Sequence, residues 1–406
     1  MKDYCKASSP EALEERGCAV CGSLTNINDC TSLDSEIRTK LQYLEKFAET
    51  CTRRERGKES DPILHVPGPV IDQDCTDICR TCLTSVKKNQ LPRSALANGL
   101  WLGKVPNELQ NLTWAEERLI SKVRTNNFYI KVSKSGFKKI KNHVVSFENP
   151  TQAIYNTLPP SKEELDACIA VMFVGADKPS TKELNNTPFV VRRTKVQKAL
   201  EWLKMNHCDY YDLDISQKNL NEYPEEGFPF TIHYVISQSD SNRAPEATSK
   251  HEVEADEGVS SGQSPIIIHG LLEKDVDTKP WKLLGSKALH HLREKDGKMM
   301  AVGHKETPES IFKNPKLYPQ IFPWLFPYGL GGIDNENQTK HVSSKAHKKQ
   351  LLMYHDKRFQ KDRLFCLVAF NHEQIKDSTG AGFIMTKQSS FQKITQRILN
   401  LDMMCL

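Results

Sequence analysis

Long hydrophobic runs are missing from this 406-residue chain: the longest, Cys168 to Ala176, has nine residues, about half of the ~20 that a bilayer-crossing helix needs. A membrane span is therefore excluded from the expectations. The opening residues MKDYCKASSPEALEERG have no apolar stretch beside their positive charge, which is not the pattern of a secretory signal. The cysteines are accordingly expected in a reducing, intracellular setting, where thiols bind metal or pack in cores rather than pair. Regular repeats and heptads are also lacking. Strong net charge is absent too: 56 Lys+Arg against 51 Asp+Glu leave +5, too little over this length to announce nucleic-acid binding by itself.

The distribution of charge says more than its sum. Residues 120–204 carry 15 Lys+Arg and 7 Asp+Glu, and residues 339–366 carry 8 Lys+Arg and 2 Asp. Between them lies Ser237 to Pro265, SQSDSNRAPEATSKHEVEADEGVSSGQSP, which has almost nothing apolar to offset its ordering entropy and reads as a disordered linker.

Around that linker the periodicity predicts an α+β chain. Ile37, Leu41, Leu44, Ala48 and Cys51 lie on one face of a helix starting near Ser32. Thr113 with Glu116, and Ser161 with Glu164, have capping-box spacing. Ile169–Val174 is short and rich in β-branched residues, as a buried strand is. Val196, Ala199, Leu200 and Leu203 share a helical face within 190–205. Ile266–His269 and Met300–Val302 are expected strands, Ser343–Phe359 and Ser390–Leu401 expected helices. The organisation that follows is a Cys-rich zinc-knuckle region with an inserted helix (1–90), an α+β domain (91–236), the linker (237–265) and a smaller α+β part (266–406).

The most specific local signal among the 12 cysteines is a pair of Cys-x-x-Cys knuckles, Cys18/Cys21 and Cys79/Cys82, 57 residues apart. Two intervening residues let a loop turn both sulfurs onto one tetrahedral ion, and Gly22 supplies the positive φ such turns favour. Four thiolates make a closed zinc site that stabilises a fold and hydrolyses nothing. Cys75 and His65 are rival ligands, and Cys30, Cys51 or Cys5 are candidates for a second site.

Directly after the second knuckle comes LPRSALANGLWLGKVPNELQNLTWAEERLI, from Leu91 to Ile120. This phrase resembles the hallmark of an uncharacterised domain in the N-terminal region of Helitron helicase-like transposon proteins. Val191-Arg192-Arg193 with Lys195-Val196 and Ala199 to Lys204 is similar to that domain's closing helix. Tyr318 to Gly329 with Gly331-Gly332, then Leu351 to Gln360 with Leu364-Phe365, resemble the elements that precede the family's replication-initiator nuclease. The resemblance spans roughly 70–235 and 280–400, and it implies DNA as the partner and the nucleus as the compartment. Without the name, FPWLFPYG cannot be helical, since each proline lacks a donor and restricts its predecessor, so the run is expected as a turn-rich packing element.

The family's catalytic motifs are not found in this sequence. There is no His-x-His, and the adjacent His290-His291 cannot converge on one ion. A phosphate-binding loop is lacking as well, because Gly57-Lys58 and Gly297-Lys298 have neither its first glycine nor its hydroxyl. Tyr354-His-Asp-Lys357 has nuclease-like spacing but helical neighbours, which favours packing over nucleophilic catalysis. The expectation is a non-catalytic, zinc-stabilised DNA-binding module. The alternatives are one piece of an ATP-dependent helicase with rolling-circle endonuclease activity, and a protein-interaction scaffold. The candidate nucleic-acid contacts are Lys131, Lys134, Lys138, Lys139, Lys141, Arg192, Arg193, Lys348, Lys349 and Arg358, where lysines interleave with aromatics or line helix faces.

Overall fold

The computed structural model describes residues 9–126, 129–131, 138–140, 145–148, 157–158, 169–175, 190–228, 232–236, 266–272, 298–304 and 309–387. The 237–265 segment, Cys5, Lys134, Lys141, the Ser161/Glu164 box and the 390–401 helix lie outside them. The architecture is α+β, with helices, the longest described being Phe365–Lys387, joined to small sheets.

The N-terminal region is organised around the first knuckle. Strand Glu15–Gly17 pairs antiparallel with Leu24–Asn26, so Cys18–Cys21 is the turn of a hairpin. Strand Cys30–Ser32 pairs with Asp77–Cys79, setting Cys30 opposite Cys79. Helix Arg80–Lys87 starts immediately after that strand, with Cys79 as its N-cap. The expected helix between the knuckles is present as Ser35–Leu41, a tighter 3-10 stretch Gln42–Phe47 and Ala48–Cys51. Ile37, Leu41, Leu44, Ala48 and Cys51 are all buried.

The capping box at Thr113 forms in full and opens helix Trp114–Ile120. The 190–205 expectation corresponds to a two-residue strand, Val191–Arg192, followed by helix Arg193–Asn206. Strand Ile169–Gly175 sits inside a four-stranded mixed sheet. It runs parallel to Ile232–Ile236 and antiparallel to Lys298–His304, which in turn pairs parallel with Ile266–Leu272. Strands from both sides of 237–265 therefore share one sheet.

The core is shared in the same way. A single hydrophobic cluster takes Cys18 to Val123, Val191 to Tyr223 and Leu317 to Ala369. The FPWLFPYG run forms turns, as its prolines require, and Phe322, Trp324, Phe326 and Tyr328 are buried. Gly99, at φ +76°, lets the chain pass against the Asn337 backbone, where a Cβ would come within 2.9 Å. Asn98 fixes the same contact by donating to the Lys340 carbonyl and accepting from its N–H.

One expected helix is divided. Ser344–Leu352 ends at Met353, and Arg358–Lys361 begins after Lys357, whose φ is +61°. The intervening residues bridge to the knuckle instead of continuing the helix. The Met353 carbonyl accepts from Leu24 N–H, and His355 N–H donates to the Gly22 carbonyl. Those bonds replace the helical ladder at this point, which helical periodicity alone does not reveal.

Candidate metal centre

The hairpin turn, the strand end and the first helical turn bring Cys18, Cys21, Cys79 and Cys82 together. One sulfur from each lies within 4.8 Å of all the others, and all four residues are buried. The loop has the local bonds that fold a knuckle back on itself: Gly22 N–H donates to the Cys18 carbonyl at 2.7 Å, and Cys18 N–H to the Ser23 carbonyl. Gly22 is at φ +70° as its position demands, and a Cβ there would meet the Tyr354 ring at 2.3 Å. Further bonds tie the loop into the protein, from Ala19 N–H to Asp77, from Asp72 N–H to Ala19 and from Leu96 N–H to Val20.

The donor chemistry fits a metal. Cys79 N–H donates to Cys18 Sγ at 3.2 Å, an interaction that favours a thiolate over a thiol. A hydrogen bond from Cys21 holds the Cys18 thiol below its ordinary value, and bonds from Cys18, Cys21 and Cys82 hold Cys79 down as well. Cys21 and Cys82, as the donors of those bonds, are pushed up. Four adjacent thiolates repel one another unless a cation neutralises them, which is what Zn²⁺ does in a four-sulfur site. The four buried cysteines are compatible with zinc.

The rival ligands are elsewhere. His65 is exposed. Cys51 donates to the Ala97 carbonyl, and Cys30 faces the Thr25 carbonyl. Cys75 belongs to another group, with Asp72 and His355. In that group Asp72 Oδ2 accepts from Tyr354 Oη at 2.7 Å and pairs with His355 Nε2 at 2.8 Å. Burial pushes the Asp72 carboxyl up, but the bonds from His355 and Tyr354 outweigh it and hold the group below its ordinary value. The same pair raises His355 against the opposing effect of burial. Burial, reinforced by the Asp72 carboxylate, pushes the Cys75 thiol up to about 12. Neither Asp72 nor His355 was expected as a ligand from the sequence, although His355 lies inside the Tyr354-His-Asp-Lys357 motif. The spacing Asp72-x-x-Cys75 is the one local signal for them, since His355 comes from 280 residues away in sequence.

The basic candidates divide into two kinds. Arg192, Lys348 and Arg358 turn inward. Arg192 donates to both carboxylate oxygens of the fully buried Glu116, at 2.9 and 2.7 Å, and to the Asn111 carbonyl. Its guanidinium is held above its ordinary value by that carboxylate. Lys348 is 4 % exposed and donates to Glu373 at 2.6 Å. Arg358 is bound to Asp356 and to the carbonyls of Leu325 and Gly103. These three hold elements together, their charges met by the fully buried Glu116 and the half-buried Glu373 and Asp356. Arg193 reaches the Tyr223 carbonyl at 3.3 Å. Lys349 is exposed, as are Lys345, Lys357, Lys361 and Arg363. Lys131, Lys138 and Lys139 lie on two antiparallel paired strands that set Lys131 opposite Lys138.

Comparison with known families adds one match: residues 88–221 fit the model of a domain of unknown function, DUF6570. The match begins just after the second knuckle and ends in the helix Gln217–Glu222. No curated protein and no solved structure matches the chain. Among the described residues, no helix is long and apolar enough to cross a membrane.

Proposed function

We propose that the chain is a non-catalytic, zinc-stabilised DNA-binding module of the kind found in the N-terminal region of Helitron helicase-like proteins, acting in the nucleus. The observation that carries the reading is the convergence of Cys18, Cys21, Cys79 and Cys82 in one buried group. A closed sulfur site has no open position for a reacting water, so its contribution is to hold structure. Zinc there fastens the hairpin turn to the helix Arg80–Lys87 and so fixes the platform against which the 339–363 segment packs.

DNA contact falls to basic residues of two segments. Lys345, Lys349, Lys357, Lys361 and Arg363 are exposed, and the paired strands 129–131 and 138–140 supply Lys131, Lys138 and Lys139. Cations of this sort neutralise phosphates and release counterions, so affinity falls steeply with salt. The test is fluorescence anisotropy with single- and double-stranded DNA over a salt series, alongside metal content. At least one tightly held zinc, lost in Cys18→Ser, and salt-dependent binding, weakened when Lys349 and Lys361 are both changed to glutamate, support the reading. Undetectable binding at low salt overturns it, and salt-insensitive capture of a protein partner without DNA affinity favours the scaffold alternative.

A further inference from the structure

Beside the cysteine group lies a second, differently built cluster. Asp72, Cys75 and His355 each offer a metal-ligating atom within 4.8 Å of the other two. Two of the three come from the loop before strand Asp77–Cys79, and the third from the break between helices Ser344–Leu352 and Arg358–Lys361. The knuckle itself positions them: Asp72 N–H donates to the Ala19 carbonyl and His355 N–H to the Gly22 carbonyl. Asp72 Oδ1 accepts from Asp74 N–H, which fixes the carboxylate from its other side.

We propose that Asp72, Cys75 and His355 form a second divalent-cation site, of zinc-like preference, open on one side. Three observations carry it. The donor set is one thiol, one imidazole and one carboxylate, the three ligand types zinc takes most readily. The backbone is cleared for the group at Gly17, where a Cβ would stand 2.6 Å from Cys75 Sγ and 2.7 Å from His355 Cβ. The cluster also borders a cavity of about 540 Å³ whose lining includes Arg16, Gly17, Cys75, Asp77, His355 and Lys357. Three protein ligands beside such a cavity leave a coordination position for water or an anionic group, as closed four-sulfur sites do not. Asp72 Oδ2 and His355 Nε2 stand 2.8 Å apart, at the distance of a pair that shares a proton. A bound cation takes the place of that proton and draws the Cys75 sulfur in as a thiolate, releasing protons as it binds. Tyr354, whose hydroxyl donates to the same Asp72 oxygen, keeps the carboxylate oriented as an outer partner.

The site stands apart from the DNA-binding reading and from zinc in the cysteine group, and its test separates them. The full chain is purified, saturated with zinc, freed of excess and assayed for metal per chain, together with Cys75→Ser, His355→Gln and the control Cys82→Ser. Circular dichroism establishes that each variant is folded. The expected result is that Cys75→Ser and His355→Gln each hold one equivalent less than the parent. An unchanged count in folded His355→Gln overturns the proposal. Because the knuckle positions Asp72 and His355, Cys82→Ser is expected to lose the metal of both sites; an unchanged count in Cys82→Ser beside one equivalent less in His355→Gln would sink the four-cysteine reading and leave this site standing. Should Cys75→Ser not fold, Co²⁺ titration of the parent and of His355→Gln decides. A further equivalent giving visible d–d bands in the parent and not in the variant supports the site, and identical spectra overturn it.

Discussion

The region around the knuckles and the region from Leu317 to Ala369 are both buried, but by different means. Around the first knuckle the inward side chains are small: Cys18, Ala19, Val20 and Cys82 are fully buried, with Cys21 at 4 %. Small side chains remove little apolar area from water, and at roughly 25 cal/mol per Å² such burial stabilises a loop weakly. In the second region Phe322, Phe326, Phe359 and Phe365 are fully buried and their rings are in contact, Phe359 tilted against Phe365 at 4.8 Å and Phe322 edge to face with Phe365 at 5.6 Å. Large rings supply both area and specific geometry. On the reading proposed above, the knuckle loop draws from its sulfur cluster the stability that its small side chains do not supply, whereas the second region is held by ring packing.

Metal removal is the sharpest way to break this contrast. A strong chelator, or Cys79→Ser, is expected to withdraw a contribution on the order of 10 kcal/mol from the first region. Hydrogen exchange should rise across 15–90 while amides in 317–326 and 358–369 stay protected. Equal loss of protection in both regions would show that the aromatic region also leans on the metal.

Acid is expected to have the next largest effect, through three buried histidines outside the sulfur cluster. Burial lowers His347 to about 4 and His372 to about 3, both in the C-terminal helices, and His207, packed beneath Gly329, to about 3. Unfolded, each takes up a proton near 6.5. Between those values the unfolded chain binds more protons than the folded one, so stability is full above about 6.5 and is lost as pH falls toward 4. The loss is up to about 2 kcal/mol for each histidine between pH 7 and pH 5. Denaturant midpoints measured over that range check it, and His347→Gln should flatten the slope. A pH-independent midpoint would contradict neutral burial.

How much of this was legible in sequence follows from how local each feature is. The capping box at Thr113, the helix Arg193–Asn206 and the strand Ile169–Gly175 are set by residues close in the chain, and periodicity found them. The two knuckles were legible because Cys-x-x-Cys is itself a spacing rule. The divided 343–359 helix was not, since its break is imposed by hydrogen bonds to Gly22 and Leu24, more than 300 residues away. The pairing of Arg192 was illegible for a related reason: its partner Glu116 lies 76 residues earlier and already serves the capping box. Lys348 and Arg358 were obscured in the same way by Glu373 and by carbonyls of distant loops. Charge patterning reveals where cations are, not which of them are already paired.

Packing is tested directly by Phe359→Ala, which removes a ring with no solvent exposure from the centre of the second region. Truncations of this kind cost about 3–5 kcal/mol because the cavity closes only partly. The midpoint of unfolding should fall accordingly while zinc content stays at the parent value. A loss of metal along with stability would mean that the aromatic region, through Tyr354, holds the knuckle in its binding conformation.

The smallest expected effect lies where the two regions meet. Tyr354 packs its ring under Gly22 and sends its hydroxyl to Asp72, so Tyr354→Phe keeps the packing and deletes one hydrogen bond to a charged acceptor. Such bonds contribute about 1.5–3 kcal/mol, and here the loss should fall at the low end because His355 still serves the same oxygen. The checks are a modest drop in the unfolding midpoint and an upward shift of the Asp72 carboxyl, read by NMR titration. Gly22→Ala offers the complementary perturbation, since its Cβ is driven into the Tyr354 ring while the hydroxyl bond is left chemically intact. If the alanine variant loses metal and the phenylalanine variant does not, the knuckle depends on shape at this junction. If both lose it, the hydrogen bond through Asp72 transmits the order of the aromatic region to the sulfur cluster.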